Sequence, residues 1–192
     1  MTIIVLAAGL SSRMGAGENK LLLPYCGKPI IQSVLETALS FSDRVIAVTG
    51  HERERMEDAI SVLDVETVYC PDYMEGQRRS TLCGISAADD DDFAIVPGDL
   101  PLLSYSGYEG TVALLSSHSI SRAVFSGIPG HPVMFREEHR KRILEFDGSL
   151  KEYLSMHDVG KYNGSIGTVL DADTPSRYRA IVSGDRDLSI LH

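Results

Sequence analysis

Two cations, Arg13 and Lys20, follow an apolar run, TIIVLA, that ends at Ala7. The intervening loop reads AAGLSSRMG, and Gly9 and Gly15 let its backbone turn tightly. A glycine-bearing loop after a buried strand can turn its amides inward around a polyphosphate while cations balance the charge. Leu6, Ala7, Ala8 and Gly9 would then touch a nucleotide, with Arg13 and Lys20 on its phosphates. The loop is not a P-loop, because no G-K-[ST] follows at the required spacing. It also lacks the G-x-G-x-x-G of a dinucleotide fingerprint.

Carboxylates are the second chemical signal. Asp99 stands in PGDLPLL, just past the apolar run FAIVP. A hard cation commonly bridges the oxygens of a polyphosphate, and one carboxylate at a strand end can hold it. Asp171 follows the apolar TVL and is the candidate to complete a metal site with Asp99. Asp173 is the other candidate, although Asp173 and Thr174 also suit the cap of a helix opened by Pro175. In VYCPDYMEGQRRST, Arg78 and Arg79 are either further grips on a triphosphate or acceptor, or solvated cations. His131, between Gly130 and Pro132, can donate a hydrogen bond to a phosphate or a heterocycle of a ligand. His51, His118, His139, His157 and His192 fall outside any motif and read as surface.

These residues need a scaffold that brings distant loops to one place. Strand-like runs alternate with helical patterns: TIIVLA, PIIQSVLETAL, RVIAVTG, ERERMEDAISVL, ETVYC, STLCGISAA and FAIVP. Then come YEGTVALLSSH as helix, RAVFS and HPVMF as strands, REEHRKRILEF and LKEYLSMH as helices, GTVL as strand and TPSRYRAIV as closing helix. This order predicts an α/β three-layer sandwich with a mainly parallel, Rossmann-like sheet, residues 1–192 forming one domain. Right-handed crossovers place the strand ends, and any ligand, on one edge. The acidic run Asp89 to Asp92 precedes a strand, away from that edge, and reads as a solvated loop.

Composition narrows the class. The chain has 192 residues, 43% hydrophobic and 23% charged, as a soluble globular protein does. A net charge of -9 argues against charge-driven binding of nucleic acid or an anionic membrane. No apolar run reaches the length of a membrane span, and no basic segment precedes TIIVLA as in a signal peptide, so the cytoplasm is the expected location. Cys26, Cys70 and Cys83 form no C-x-x-C pair and suit reduced thiols; structural zinc is not expected.

LAAGLSSRMG followed by NKLLLPYCGKPII closely resembles the signature of the nucleotidyltransferases of the molybdenum cofactor type, L-A-[AG]-G-x-S-x-R-M-G and then K and G-K-P. PGDLPLL, GHPVMF, DGSLKEYL and LDADTP resemble further family blocks in the same order, so the resemblance spans nearly the whole chain. It implies a cytidylyltransferase that joins CTP to the phosphate of molybdopterin and releases pyrophosphate. It also implies Mg2+ on Asp99, a base wall containing Gly76 and Ser80, an acceptor pocket at Gly130, His131 and Pro132, and a molybdoenzyme as candidate client. LAAG, with Ala8, stands where guanylyltransferase relatives tend to read LAGG. The sequence departs from the pattern at Cys70, Arg78 and Arg79, and Phe146 replaces a glycine near Lys151, a possible acceptor contact. Two other readings stay open: transfer to another phosphorylated acceptor such as a sugar phosphate, or with another NTP, and a non-catalytic carrier of the cofactor.

Overall fold

Thr2–Ala7 forms β1, and every one of its residues is buried. A strand covered on both faces must be apolar throughout, which is why TIIVLA shows no alternation. Its odd-numbered residues Ile3, Val5 and Ala7 enter one hydrophobic cluster, and Ile4, Leu6 and Ala8 enter another. The two clusters are the two interfaces of a three-layer sandwich. The computed structural model describes residues 1–14, 18–88, 91–184 and 191; Gly15, Asp89, Asp90 and His192 lie outside the described residues.

After β1 comes a small hairpin, β2 (Pro24–Tyr25) and β3 (Lys28–Pro29). Cys26 and Gly27 at its tip both take positive φ, 49° and 82°, as a two-residue hairpin turn requires. The chain continues through α1 (Ile30–Phe41), β4 (Arg44–Thr49), α2 (Arg53–Ile60), β5 (Glu66–Tyr69), α3 (Gln77–Ala87), β6 (Phe93–Pro97) and α4 (Tyr105–Ala113). It closes with β7 (Ile120–Phe125), β8 (Ile128–Phe135), α5 (His139–Glu145), α6 (Leu150–Ser155), β9 (Val159–Asn163) and α7 (Pro175–Ser183). Among the described residues the main sheet has seven strands, in the order β5-β4-β1-β6-β8-β7-β9. Pairing is parallel except where β8 meets β6 and β7. The reversal is made by a two-residue turn, Ser126 and Gly127, again with both φ positive.

One expected strand is absent. GTVL, residues 167–170, is a 3-10 turn over Ile166–Thr168 and an irregular exit, with the Leu170 amide bonded to the Ile166 carbonyl at 2.9 Å. Leu170 joins the buried cluster that holds Leu100 and Leu103 of the loop after β6, while Val169 lies against Gly130. A Cβ on Gly167 would lie 2.0 Å from the Leu102 carbonyl oxygen, so backbone meets backbone there. The last strand is β9, whose VGKYN is too short and polar to stand out. The described half of the acidic run is engaged: Asp91 pairs with the N-terminus at 2.6 Å and Asp92 with Arg136 at 2.8 Å. Among the described residues, no helix is long and apolar enough to cross a membrane.

Helix α3 approaches the sheet through Gly84. A Cβ built there would meet Ile4 Cγ2 at 2.3 Å and Val48 Cγ2 at 2.9 Å, both on buried strands. Gly84→Val is therefore expected to lower the unfolding free energy by about 1–3 kcal/mol through overpacking. Urea denaturation of the two proteins checks it; an unchanged midpoint would contradict the close approach.

Candidate active site

The loops after β1 and β6 meet where the winding of the sheet changes direction. From β1 the chain passes to β4 on one side, and β6 lies on the other. In open α/β sheets, ligands bind outside the strand carboxyl ends at such a switch point. The Gly98 amide donates to the Leu6 carbonyl at 2.9 Å and fastens the two loops together.

Lys20 is positioned by its own backbone contacts. It opens a 3-10 turn, Lys20–Leu22, whose cap Asn19 accepts the Leu21 amide at 3.2 Å. Ser11, at a φ of 54°, accepts the Lys20 amide on Oγ at 3.1 Å. From this seat Lys20 Nζ donates to Asp99 Oδ2 at 2.5 Å and to Asp173 Oδ1 at 2.6 Å. Arg13 also pairs with Asp173. The segment carrying Asp171 and Asp173 is held beside Asp99 by the Ala172 amide, which donates to the Asp99 carbonyl at 2.9 Å. Asp171 accepts from Arg177 at 2.8 Å. Thr174 caps α7 by accepting the Arg177 amide at 3.3 Å, which leaves the Asp173 carboxylate to the cations.

Charge balance sets the protonation of this cluster. Burial alone would lower the Lys20 pKa, yet the Asp99 and Asp173 carboxylates outweigh it and raise it. Asp173 is pushed up by burial but ends below its ordinary value because Lys20 and Arg13 stabilise its charge. Asp171 ends above its ordinary value, chiefly through burial, with Arg177 opposing and the Asp99 charge adding. Asp99 Oδ1 is buried and has no hydrogen-bond partner among the described residues. Such an orphaned carboxylate oxygen is costly unless a cation or donor meets it. Among the described residues no group of three or more His, Cys, Asp or Glu forms a ready-made metal cage. A divalent ion held by one or two carboxylates and completed by substrate phosphates fits this donor set.

A cleft of about 670 Å³ opens over the cluster. Leu6, Ala8, Gly9, Arg13, Lys20, Gly76, Ser80, Asp99, Gly130, His131, Asp171 and Asp173 all line it. Ala7 and Pro132, expected at the site, are buried behind the wall instead. Tyr73, Gln77 and Thr168 also line the cleft and were not singled out by sequence. Tyr73 and Gln77 flank Gly76, while Thr168 lay inside the expected strand.

Arg78 and His139 differ from expectation, while Arg79 and Lys151 take the solvated alternative that the sequence left open. Arg78 donates to the Gly148 carbonyl at 2.8 Å and to the Phe146 carbonyl at 2.5 Å, so it ties α3 to the loop before α6. Arg79 pairs with Glu75 at 2.6 Å on the surface. Neither lines the cleft, nor does the exposed Lys151. His139 is buried, not superficial; its ring bonds the Tyr153 hydroxyl at 2.7 Å and the Ser119 hydroxyl at 2.9 Å.

His131 Nδ1 lies 3.3 Å from the Ile95 carbonyl oxygen, which can only accept, so Nδ1 carries the proton. Burial pushes its pKa down to about 4 and the nearby Arg122 adds to this, against the Ile95 contact. The ring is neutral at pH 7, and its other nitrogen accepts hydrogen bonds; it does not donate them.

A mostly parallel sheet with a glycine-bearing loop and a cation–carboxylate cluster at its switch point defines an α/β enzyme acting on nucleotides. The chain matches the MobA-like NTP transferase domain over residues 3–159 and belongs to that family; it is a nucleotidyltransferase. It is 29% identical over 181 residues to the molybdenum cofactor cytidylyltransferase of Escherichia coli, covering 91% of this chain and 92% of that one. A nucleotidyl transferase from Methanothermobacter superposes with a TM-score of 0.80 at 24% identity, over 95% of this chain and 96% of that one. Rv0371C from Mycobacterium tuberculosis, solved in complex with manganese, gives a TM-score of 0.74 at 22% identity, over 95% and 97%. At these identities the two superpositions speak to the fold.

The neutral His131 makes the folded chain the weaker proton binder between about pH 6.5 and about 4, compared with the unfolded chain. Stability therefore falls as pH drops through that window, and His131→Gln is expected to make the fall shallower. Urea midpoints of both proteins near pH 7 and near pH 4.5 check this; parallel falls would contradict a half-buried ring kept neutral.

Proposed function

We propose that this chain transfers CMP from CTP to the terminal phosphate of molybdopterin and releases pyrophosphate. The observation that carries this reading is Lys20, held between Asp99 and Asp173 at the mouth of the loop after β1. An oxygen of the acceptor phosphate attacks the α-phosphorus of CTP. The new P–O bond forms as the bond to the bridging oxygen breaks, and its electron pair leaves with pyrophosphate. Such chemistry rests on positioning and charge stabilisation, with no covalent protein intermediate.

In this reading Arg13 and Lys20 exchange carboxylate partners for phosphate oxygens and neutralise the departing pyrophosphate. Leu6, the Ala7–Gly9 backbone, Gly76 and Ser80 bind the nucleotide. Asp99, through its unpartnered Oδ1, would hold Mg2+ together with Asp171 or Asp173. The bound ion would supply Lewis-acid stabilisation of charge on the transferring phosphoryl group. Gly130 and His131 face the acceptor, with Pro132 supporting them from behind. A neutral His131 that accepts hydrogen bonds suits the amino and ring N–H groups of a pterin better than a phosphate oxygen. The protein would work in the cytoplasm, as one domain over residues 1–192, and hand its product to a molybdoenzyme.

Cytosine over guanine follows from Ala8, which lines the cleft. Its methyl narrows the approach that a purine needs, and steric rejection of this size is worth about 1–3 kcal/mol. Pyrophosphate release measured with molybdopterin and each of the four NTPs is expected to favour CTP over GTP, in kcat/KM, by about tenfold to a few hundredfold. Ala8→Gly should narrow that ratio. Release favouring GTP would overturn the choice of base, and no release with any NTP would overturn molybdopterin as the acceptor.

A further inference from the structure

Cys70 and Cys83 stand side by side beneath the base wall of the cleft. Cys70 follows β5 and is fully buried; its amide donates to the Thr49 carbonyl at 2.9 Å. Cys83 lies on α3 and is half-buried. The two thiols are free, and their sulfurs are 2.6 Å apart. A disulfide bond is about 2.05 Å long, so a further approach of about half an ångström would join them.

We infer that Cys70 and Cys83 are a thiol–disulfide site whose oxidation locks the base wall of the cleft. The segment between them carries Tyr73, Met74, Gly76, Gln77 and Ser80, all of which line the cleft. Gly76, at a φ of 109°, is its pivot, joining the turn Tyr73–Glu75 to α3. A bond from Cys70 to Cys83 would bracket that pivot from both sides. Because the sulfurs are already so close, the wall is fixed near the shape it has here. It loses freedom and keeps its form, and pre-organisation of that kind tightens binding.

The chemistry requires an oxidant of the small-molecule disulfide class, such as glutathione disulfide. The Cys83 thiolate attacks one of its sulfurs, forms a mixed disulfide and expels a glutathione thiolate. The Cys70 thiolate then attacks the Cys83 sulfur, and the second glutathione thiolate leaves. Two protein thiols are oxidised, one glutathione disulfide is reduced to two thiols, and the two protons pass to the leaving thiolates. Burial, with the neighbouring Cys70 thiol adding to it, pushes the Cys83 pKa up to about 12. Thiolate is therefore scarce at neutral pH, and exchange should accelerate as pH rises. In a reducing environment the pair stays reduced.

The effect on nucleotide binding rests on the proposed function, whereas formation of the bond does not. The full chain carrying Cys26→Ser, which removes the exposed third thiol, is incubated with glutathione disulfide and compared with its dithiothreitol-treated form. Oxidation is expected to lower the intact mass by two hydrogens and to raise Tm by about 5–10 °C. It is also expected to lower the Kd for CTP with Mg2+ by about two- to tenfold. Cys83→Ala in the same background should show neither shift. A persistent glutathione adduct, or two intact thiols after oxidation, would overturn the site. Bond formation with an unchanged or weaker CTP affinity would overturn its action on the wall. If neither form binds CTP, the nucleotide reading falls, while mass and Tm still decide the bond.

Discussion

The Lys20 ammonium between Asp99 and Asp173 is the interaction on which the arrangement of the cleft depends. Its side chain keeps 14% of its exposure, so an unpaired charge there would be expensive. Two carboxylates resolve that cost, and the upward shift of the Lys20 pKa shows that attraction wins over burial. Removing one partner of such a buried pair costs about 3–5 kcal/mol, because the other is left unpaired. The pairing also joins three stretches that are far apart in the chain: the loop after β1, the loop after β6 and the segment before α7. Asp99 sits 79 residues from Lys20, and Asp173 sits 153 residues away.

Counting charges gives the proposed reaction a reason to bring a metal with its substrate. Arg13, Lys20 and Arg177 face Asp99, Asp171 and Asp173, so the formal charges cancel. A triphosphate would add several negative charges to a balanced cluster. A divalent cation arriving with it offsets them, and the buried Asp99 Oδ1 is an oxygen of this chain still lacking a partner. The backbone lets this happen at close quarters. Gly130 packs where a Cβ would lie 2.4 Å from the Thr168 carbonyl oxygen, which brings the Gly130–His131 edge of the cleft up against the segment that carries Asp171.

Much of this was legible in the sequence because local chemistry and global fold agree. TIIVLA, RVIAVTG and FAIVP are continuous apolar runs, and they became β1, β4 and β6 at the centre of the sheet. The residues that mark the loop, Ala8, Gly9, Arg13 and Lys20, reached the cleft together with Asp99. What the sequence hid depends on contacts between distant segments. GTVL has the composition of a strand, but Gly167 lets it lie against Leu102 and escape the sheet. Arg78 looks like a phosphate grip until its partners, two carbonyls from the loop before α6, are seen. The choice between Asp173 and Thr174 as cap was settled by which oxygen the Arg177 amide reaches. Periodicity carries no information on any of these.

In the proposed function, Asp99 Oδ1 and the Lys20-centred cluster hold a metal–triphosphate complex. The most direct test is anomalous scattering from crystals grown with Mn2+ and a non-hydrolysable CTP analogue. One strong peak is expected within coordination distance, about 2.0–2.2 Å, of Asp99 Oδ1, with the triphosphate on Lys20 and Arg13. The peak should vanish in a folded Asp99→Asn protein. A peak of undiminished height in Asp99→Asn, or an analogue bound away from Lys20, would contradict the account.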